Sequence, residues 1–144
     1  MHTVKNVVGR LVEVRVASPL NLAEVGEFRL EHQAAIRNIR ERYVGVVDLR
    51  HADVLPSEVA QGLIALLSGT AILVERTGFL IGESAIFSLQ IERIIRNSAN
   101  PNRKAFRDPE QLKAFLGEVL APIERSRLDE FLDAGQTGAD PPRS

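Results

Sequence analysis

Apolar and charged residues alternate at the start of the chain. Val4–Val8 and Leu11–Val16 flank Gly9-Arg10, and in the second run Val12, Val14 and Val16 interleave with Glu13 and Arg15. Strand side chains point to opposite faces in turn, so this period predicts a half-buried strand. Glycine reaches the positive φ of a tight turn, so Gly9-Arg10 predicts a hairpin. Ser18-Pro19 stops the second strand. Beyond it, Leu22, Val25, Phe28, Ala35, Ile36 and Ile39 recur at helical spacing among Glu24, Glu27, Arg29, Glu31, Arg37 and Arg40. This predicts an amphipathic helix from Leu22 to about Arg42, capped by Asn21 with Glu24 at the capping-box position. Gly26 inside it suits close packing on a sheet.

Tyr43–Leu49 is a continuous apolar run ended by Asp48, as expected of a strand covered on both faces. Pro56 at a first helical position, the stripe Val59, Leu63, Leu66 and Leu67, and Gly69 as a stop predict a second helix. Arg76–Gly82 reads as the next strand; Ala71–Val74 fits either that strand or a turn after the helix. Ser84 opens a third helix that buries Phe87, Ile91, Ile94 and Ile95. Asn97–Asn102 reads as a turn, and Arg103–Arg107 as a short strand. Asp108, Pro109 and Gln111 mark the start of a fourth helix with the stripe Leu112, Phe115, Leu116, Val119 and Leu120. Pro122 breaks it, and a last amphipathic segment carries Ile123, Leu128, Phe131 and Leu132 to Gly135. The expected architecture is α/β: a mixed sheet of about five strands, an N-terminal hairpin then βαβαβα, with helices packed on it and an extra C-terminal helix.

The 144 residues predict one domain over residues 1–135, with Gln136–Ser144 a frayed tail. Eighteen Lys and Arg against nineteen Asp and Glu leave a charge of −1, which argues against nucleic acid as a partner. The chain has no Cys, which excludes disulfides, thiolate metal sites and thiol nucleophiles. Its longest apolar runs fall far short of the ~20 residues of a membrane span. Met1–Arg10 has no long apolar core or small-residue cleavage site, so the expectation is a cytosolic soluble domain.

The element order, together with Tyr43–Leu67, resembles the STAS family, the sulfate-transporter and anti-sigma-factor-antagonist domains. Those domains end a strand in a motif similar to Asp-Leu-Ser and, after a short loop, open a helix with Asp-Ser-Ser-Gly. Here the strand ends Val46-Val47-Asp48-Leu49-Arg50, and the helix opens Leu55-Pro56-Ser57-Glu58-Val59-Ala60. Arg103–Asp108 and the helix through Ala114-Phe115-Leu116 are similar to stand-alone bacterial proteins of the sporulation-antagonist type. The likeness covers about Leu11 to Leu120. It implies a non-enzymatic regulatory module without cofactor that binds a protein partner through Arg50–Glu58, with Arg50, His51, Asp53, Ser57 and Glu58 as the contact residues. Ser57 falls on the motif's first Ser. Glu58 falls on the second, the one phosphorylated in antagonist proteins, while Pro56 and Val59 replace the motif's Asp and Gly. A fixed charge in the first helical turn is favourable by ~0.3–1 kcal/mol, so the surface reads as constitutive. Ser57 is the candidate phosphosite if the alignment slips by one residue.

Other candidate chemistry is thin. His2, His32 and His51 are far apart in sequence, and His32 falls on the apolar side of the first helix. His51 with Asp48 and Asp53 lies at the carboxyl end of a strand, where open α/β sheets bind ligands, but no metal-ligand spacing is present. Gly82-Glu83-Ser84-Ala85-Ile86 lacks the second glycine of a nucleophile elbow, and capping explains Ser84. Arg93, Arg96, Arg103, Lys104 and Arg107 form a local basic concentration, and Glu92 is spaced to pair with Arg96. The stripe of Pro122–Gly135 must bury itself either on its own sheet or, as a homodimer, on a second copy. A second functional expectation is an apolar small ligand: stand-alone STAS-like proteins resemble the CRAL-TRIO lipid-carrier fold, which implies a cavity near Phe115 and Phe131.

Overall fold

The computed structural model describes residues 1–136. Five strands, β1 (His2–Lys5), β2 (Leu11–Ala17), β3 (Tyr43–His51), β4 (Val74–Leu80) and β5 (Arg103–Phe106), lie side by side in chain order. β1 is antiparallel to β2, and β2 to β5 are mutually parallel. The helices are α1 (Leu22–Ile36), α2 (Ser57–Gly69), α3 (Ala85–Arg96), α4 (Pro109–Gly117) and α5 (Pro122–Gln136). Right-handed crossovers that advance always in one direction put every connecting helix on one face. There Val12, Val14, Tyr43, Phe79 and Ile81 meet Val25, Phe28, Val59, Leu66, Phe87 and Ile91. The opposite face, with Leu11, Val44, Val46 and Leu80, is left to the chain after β5, and α4 and α5 close it with Leu112, Leu116, Leu128, Phe131 and Leu132. Gly78 permits that closure, because a Cβ there would stand 3.0 Å from Leu112.

The expected mixed sheet is present, with several boundaries moved. β1 occupies His2–Lys5 rather than Val4–Val8. The Asn6 side chain donates to Gly9 O and Leu11 O, at 3.0 and 2.9 Å, and so folds residues 6–10 into the turn, with Gly9 at φ +54°. α1 ends at Ile36 instead of about Arg42, since a chain leaving a helix for a strand needs residues to turn back. Gly26 meets nothing within 4 Å, so close packing does not explain it. β3 continues past Leu49 to His51, Pro56 is the N-cap of α2 rather than its first residue, and Gly69 is the last residue of that helix. Ala71–Leu73 is a 3-10 turn, and β4 begins at Val74 and ends before Gly82. Ser84 and Asp108 cap α3 and α4 as expected. α5 packs on its own sheet through Leu128, Phe131 and Leu132, so the homodimer alternative for this segment is not needed to cover it; Ile123, placed in its stripe, is instead exposed. Gln136 belongs to α5, and the rest of the expected tail lies outside the described residues. None of the described helices is long and apolar enough to cross a membrane.

His32 sits in the core at 5% exposure, edge-on to Phe28 and Tyr43 with ring centroids 6.1 and 5.3 Å away. Burial, with the nearby Arg103 charge as a smaller cause, lowers its pKa from 6.5 to about 4. At neutral pH the imidazole is uncharged in both folded and unfolded chains. Below pH 6.5 the unfolded chain gains a proton that the folded one refuses until about pH 4. Stability contributed by this residue is therefore full above 6.5 and falls through that window by about 3 kcal/mol. Urea unfolding followed between about pH 7.5 and 4.5 should show this loss, and His32→Leu should remove that component; parallel losses in both proteins would exclude His32 as its source.

Candidate functional site

The carboxyl end of β3 carries a buried charge cluster. The register sets Arg15 opposite Asp48, and both side chains point towards α5. Asp48 has 0% side-chain exposure. Arg15 Nη1 donates to its Oδ2, while Arg50 Nε and Nη2 donate to Oδ1 and Oδ2, each at 3.0 Å. The guanidinium groups also hold the end of α5: Arg15 Nη2 donates to Phe131 O at 2.9 Å, and Arg50 Nη2 to Leu132 O at 2.8 Å. His51 Nε2, in the tautomer that protonates it, donates to Gly135 O at 3.1 Å. Basic groups suit the negative end of a helix dipole. Burial lowers the pKa of Arg15, opposed by Asp48. Gly135 rests directly on the cluster: a Cβ there would fall on Arg15 Nη1 and Asp48 Oδ2 and stand 2.8 Å from Arg50 Nη2.

The same helix is fixed further along. Glu124 accepts from Ala121 N and Arg10 N, both at 2.8 Å, joining the start of α5 to the β1–β2 turn. Arg127 donates to both oxygens of Glu13, at 2.6 and 2.8 Å, and this pair holds its pKa above the ordinary value. Phe131 lies under the Arg15 guanidinium at 4.1 Å, and Phe115 packs on Phe106 beneath Arg76 and Lys104. The ring faces expected to line an apolar cavity thus have partners of their own. A cleft of about 390 Å³ lies elsewhere, between β1 and α1, lined by Val4, Lys5, Asn6, Glu31, Ala34, Ala35 and Asn38.

The loop from β3 to α2 is held from two sides. Asp53 N donates to Ser18 Oγ at 2.8 Å, and the Asp53 carboxylate accepts from Val54 N at 2.7 Å. Leu55 is buried, and Gln90 of α3 bonds both its backbone groups, at 2.8 and 2.9 Å. Asp53, Val54, Pro56, Ser57 and Glu58 remain exposed, the last two as the first residues of α2. Of the five nominated contact residues, Asp53, Ser57 and Glu58 share this surface. Arg50 and His51 bind α5 instead. The basic concentration is dispersed: Arg103 is buried against Ser98 O, Lys104 points to the opposite face, Arg107 donates to Ser88 Oγ at 2.9 Å, and Arg93 and Arg96 are exposed on α3. Sequence reasoning missed Arg15, Gln90, Ser18 and Gly135; only the charged positions within the β2 alternation hinted at the first. Among the described residues no three His or carboxylate side chains are grouped to hold a metal.

No protein-family model matches the chain, and no curated protein matches it. Solved structures do. One is the anti-sigma factor antagonist SpoIIAA in its unphosphorylated form, 14% identical, with TM-score 0.59 over 83% of this chain and 100% of that one. The chain has a SpoIIAA-like fold. A second is a protein of the DUF3478 family from Shewanella loihica, also described as SpoIIAA-like, 14% identical, with TM-score 0.61 over 80% of this chain and 93% of that one. At this identity the STAS-like architecture is what the likeness establishes.

Removing the carboxylate strands two guanidinium groups in a covered site. Asp48→Ala should therefore cost about 3–5 kcal/mol in urea unfolding, and amide exchange should accelerate first at Phe131–Gln136. A loss below about 1 kcal/mol would mean that the cluster behaves like solvated surface pairs.

Proposed function

We propose that this chain is a non-enzymatic regulatory module of STAS type, a single domain over residues 1–135 that acts in the bacterial cytosol. It binds a protein partner through the loop after β3 and the first turn of α2. The observation that carries this reading is the shape of the loop: Ser18 and Gln90 fix its backbone while Asp53, Val54, Ser57 and Glu58 project outward. A loop held in one conformation loses little entropy on docking. The SpoIIAA-like fold supports the assignment to partner binding, because one solved protein with this architecture is an anti-sigma factor antagonist.

Within that surface Asp53, Ser57 and Glu58 are the contact residues, and Arg50 and His51 act from beneath by holding the loop's root to α5. Glu58 supplies a permanent negative charge in the first turn of α2, where the helix dipole favours it. In this reading the module does not wait for a phosphate at that position. Ser57, exposed beside it, is the hydroxyl in the first turn of α2 that a kinase could reach.

The test is affinity purification from the native cell, comparing the wild type with the combined variant Asp53→Ala, Ser57→Ala and Glu58→Lys. All three residues are exposed, so the variant should stay folded, its melting temperature lowered by up to about 8 °C through the lost Asp53 bond to Val54 N and the reversed charge at the start of α2. The proteins retained by the wild type should be lost. Mass spectrometry of the purified wild type should show Ser57 unmodified in the partner-bound fraction. Undiminished capture by a folded triple variant would reject this surface.

A further inference from the structure

The outer side of α3 is not absorbed by the fold or by the proposed docking loop. Ile86 and Leu89 are 69% and 68% exposed, although both belong to a helix that buries Phe87, Ile91 and Ile94 on its inner side. With Arg93 and Arg96 they continue at steps of three, four and three, the spacing of a helix–helix seam. Charge along this seam is polarised. Glu83 stands just before the helix, the two apolar residues occupy its first turns, and Arg93 and Arg96 occupy its last. Glu83, Glu92, Arg93 and Arg96 are all exposed, and no ion pair among the described residues includes any of them, not even the Glu92–Arg96 pair that the spacing allows.

A surface acidic at one end, apolar in the middle and basic at the other is complementary to itself when turned end for end. We propose that α3 pairs antiparallel with α3 of a second copy of this chain about a two-fold axis near Leu89. In that arrangement the two Leu89 side chains meet at the centre and Ile86 packs on the aliphatic stem of the partner copy's arginine one turn beyond. Glu83 of each chain faces Arg96 of the other. An isologous interface requires such a self-complementary patch. A twelve-residue helix spans only about 18 Å, so the dimer is weak and concentration-dependent. Its residues are distinct from Asp53, Ser57 and Glu58, and its readout is mass rather than partner capture, so it stands or falls separately from the docking loop.

The experiment is sedimentation velocity on the purified full chain from about 10 μM to about 1 mM, the range in which weak association appears. The wild type should rise from 15.9 kDa towards twice that mass. Leu89→Asp, at an exposed position and with unchanged circular dichroism, should weaken association at least about tenfold by placing paired charges at the centre. Glu83→Arg and Arg96→Glu should each weaken it about twofold to fivefold, and the two combined in one chain should restore it. A chain that stays monomeric throughout overturns the proposal and leaves the stripe to a different protein. Dimers that survive Leu89→Asp, or a double exchange no better than either single one, overturn it as well.

Discussion

A carboxylate withdrawn from water binds together β2, β3 and the last turn of α5. Asp48 is ionically paired with Arg15 from one strand and Arg50 from its own, and the surplus positive charge is offset by carbonyl oxygens at the negative end of a helix. Buried ions are costly unless every partner is in place, so the cluster makes its parts mutually dependent. The strand register must set Arg15 opposite Asp48, and the helix must arrive with a glycine where it touches them.

This dependence explains which parts of the molecule could be read from the sequence. Caps at Asn21, Ser84 and Asp108, the apolar stripes of α2 and α3, and the hairpin glycine are local signals, and each marks its element. The alternation in β2 was also legible, but its meaning was only half visible. Glu13 and Arg15 look like the wet side of a strand, whereas both are covered by α5, where Arg127 and the helix end receive them. Alternation reports that two faces differ; it does not report what lies over either. The same limit moved the end of β3, because Asp48 looks like a stop and is in fact an inward-facing partner. Ile123, expected in the buried stripe, is exposed for a similar reason, and its neighbour Glu124 is buried instead, its carboxylate serving the turn at Arg10.

The candidate surface was legible in outline and not in its division of labour. Spacing from Asp48-Leu49 led to residues 50–58 as one stretch. Three-dimensional structure separates it into a root, Arg50 and His51, bonded to the end of α5, and a tip from Asp53 to Glu58 that is exposed except at Leu55. The division arises from residues remote in sequence: Gln90 clamps Leu55 from one helix and Ser18 reaches Asp53 from the opposite loop. Binding residues on a loop carried by a rigid scaffold are a common arrangement, and here the scaffold includes two helices on opposite faces of the sheet.

The bond between Arg127 and Glu13 joins residues 114 positions apart. During synthesis, β2 therefore emerges long before the helix that neutralises its charged side and shields Leu11, Val44 and Val46. Until α5 has left the ribosome the nascent sheet has one finished face and one that α4 covers only over β4 and β5, and such late long-range closure slows folding while exposing sticky surface. The most vulnerable interval for this sheet is thus the one just before α5 is made, when a chaperone would find a half-covered sheet to hold.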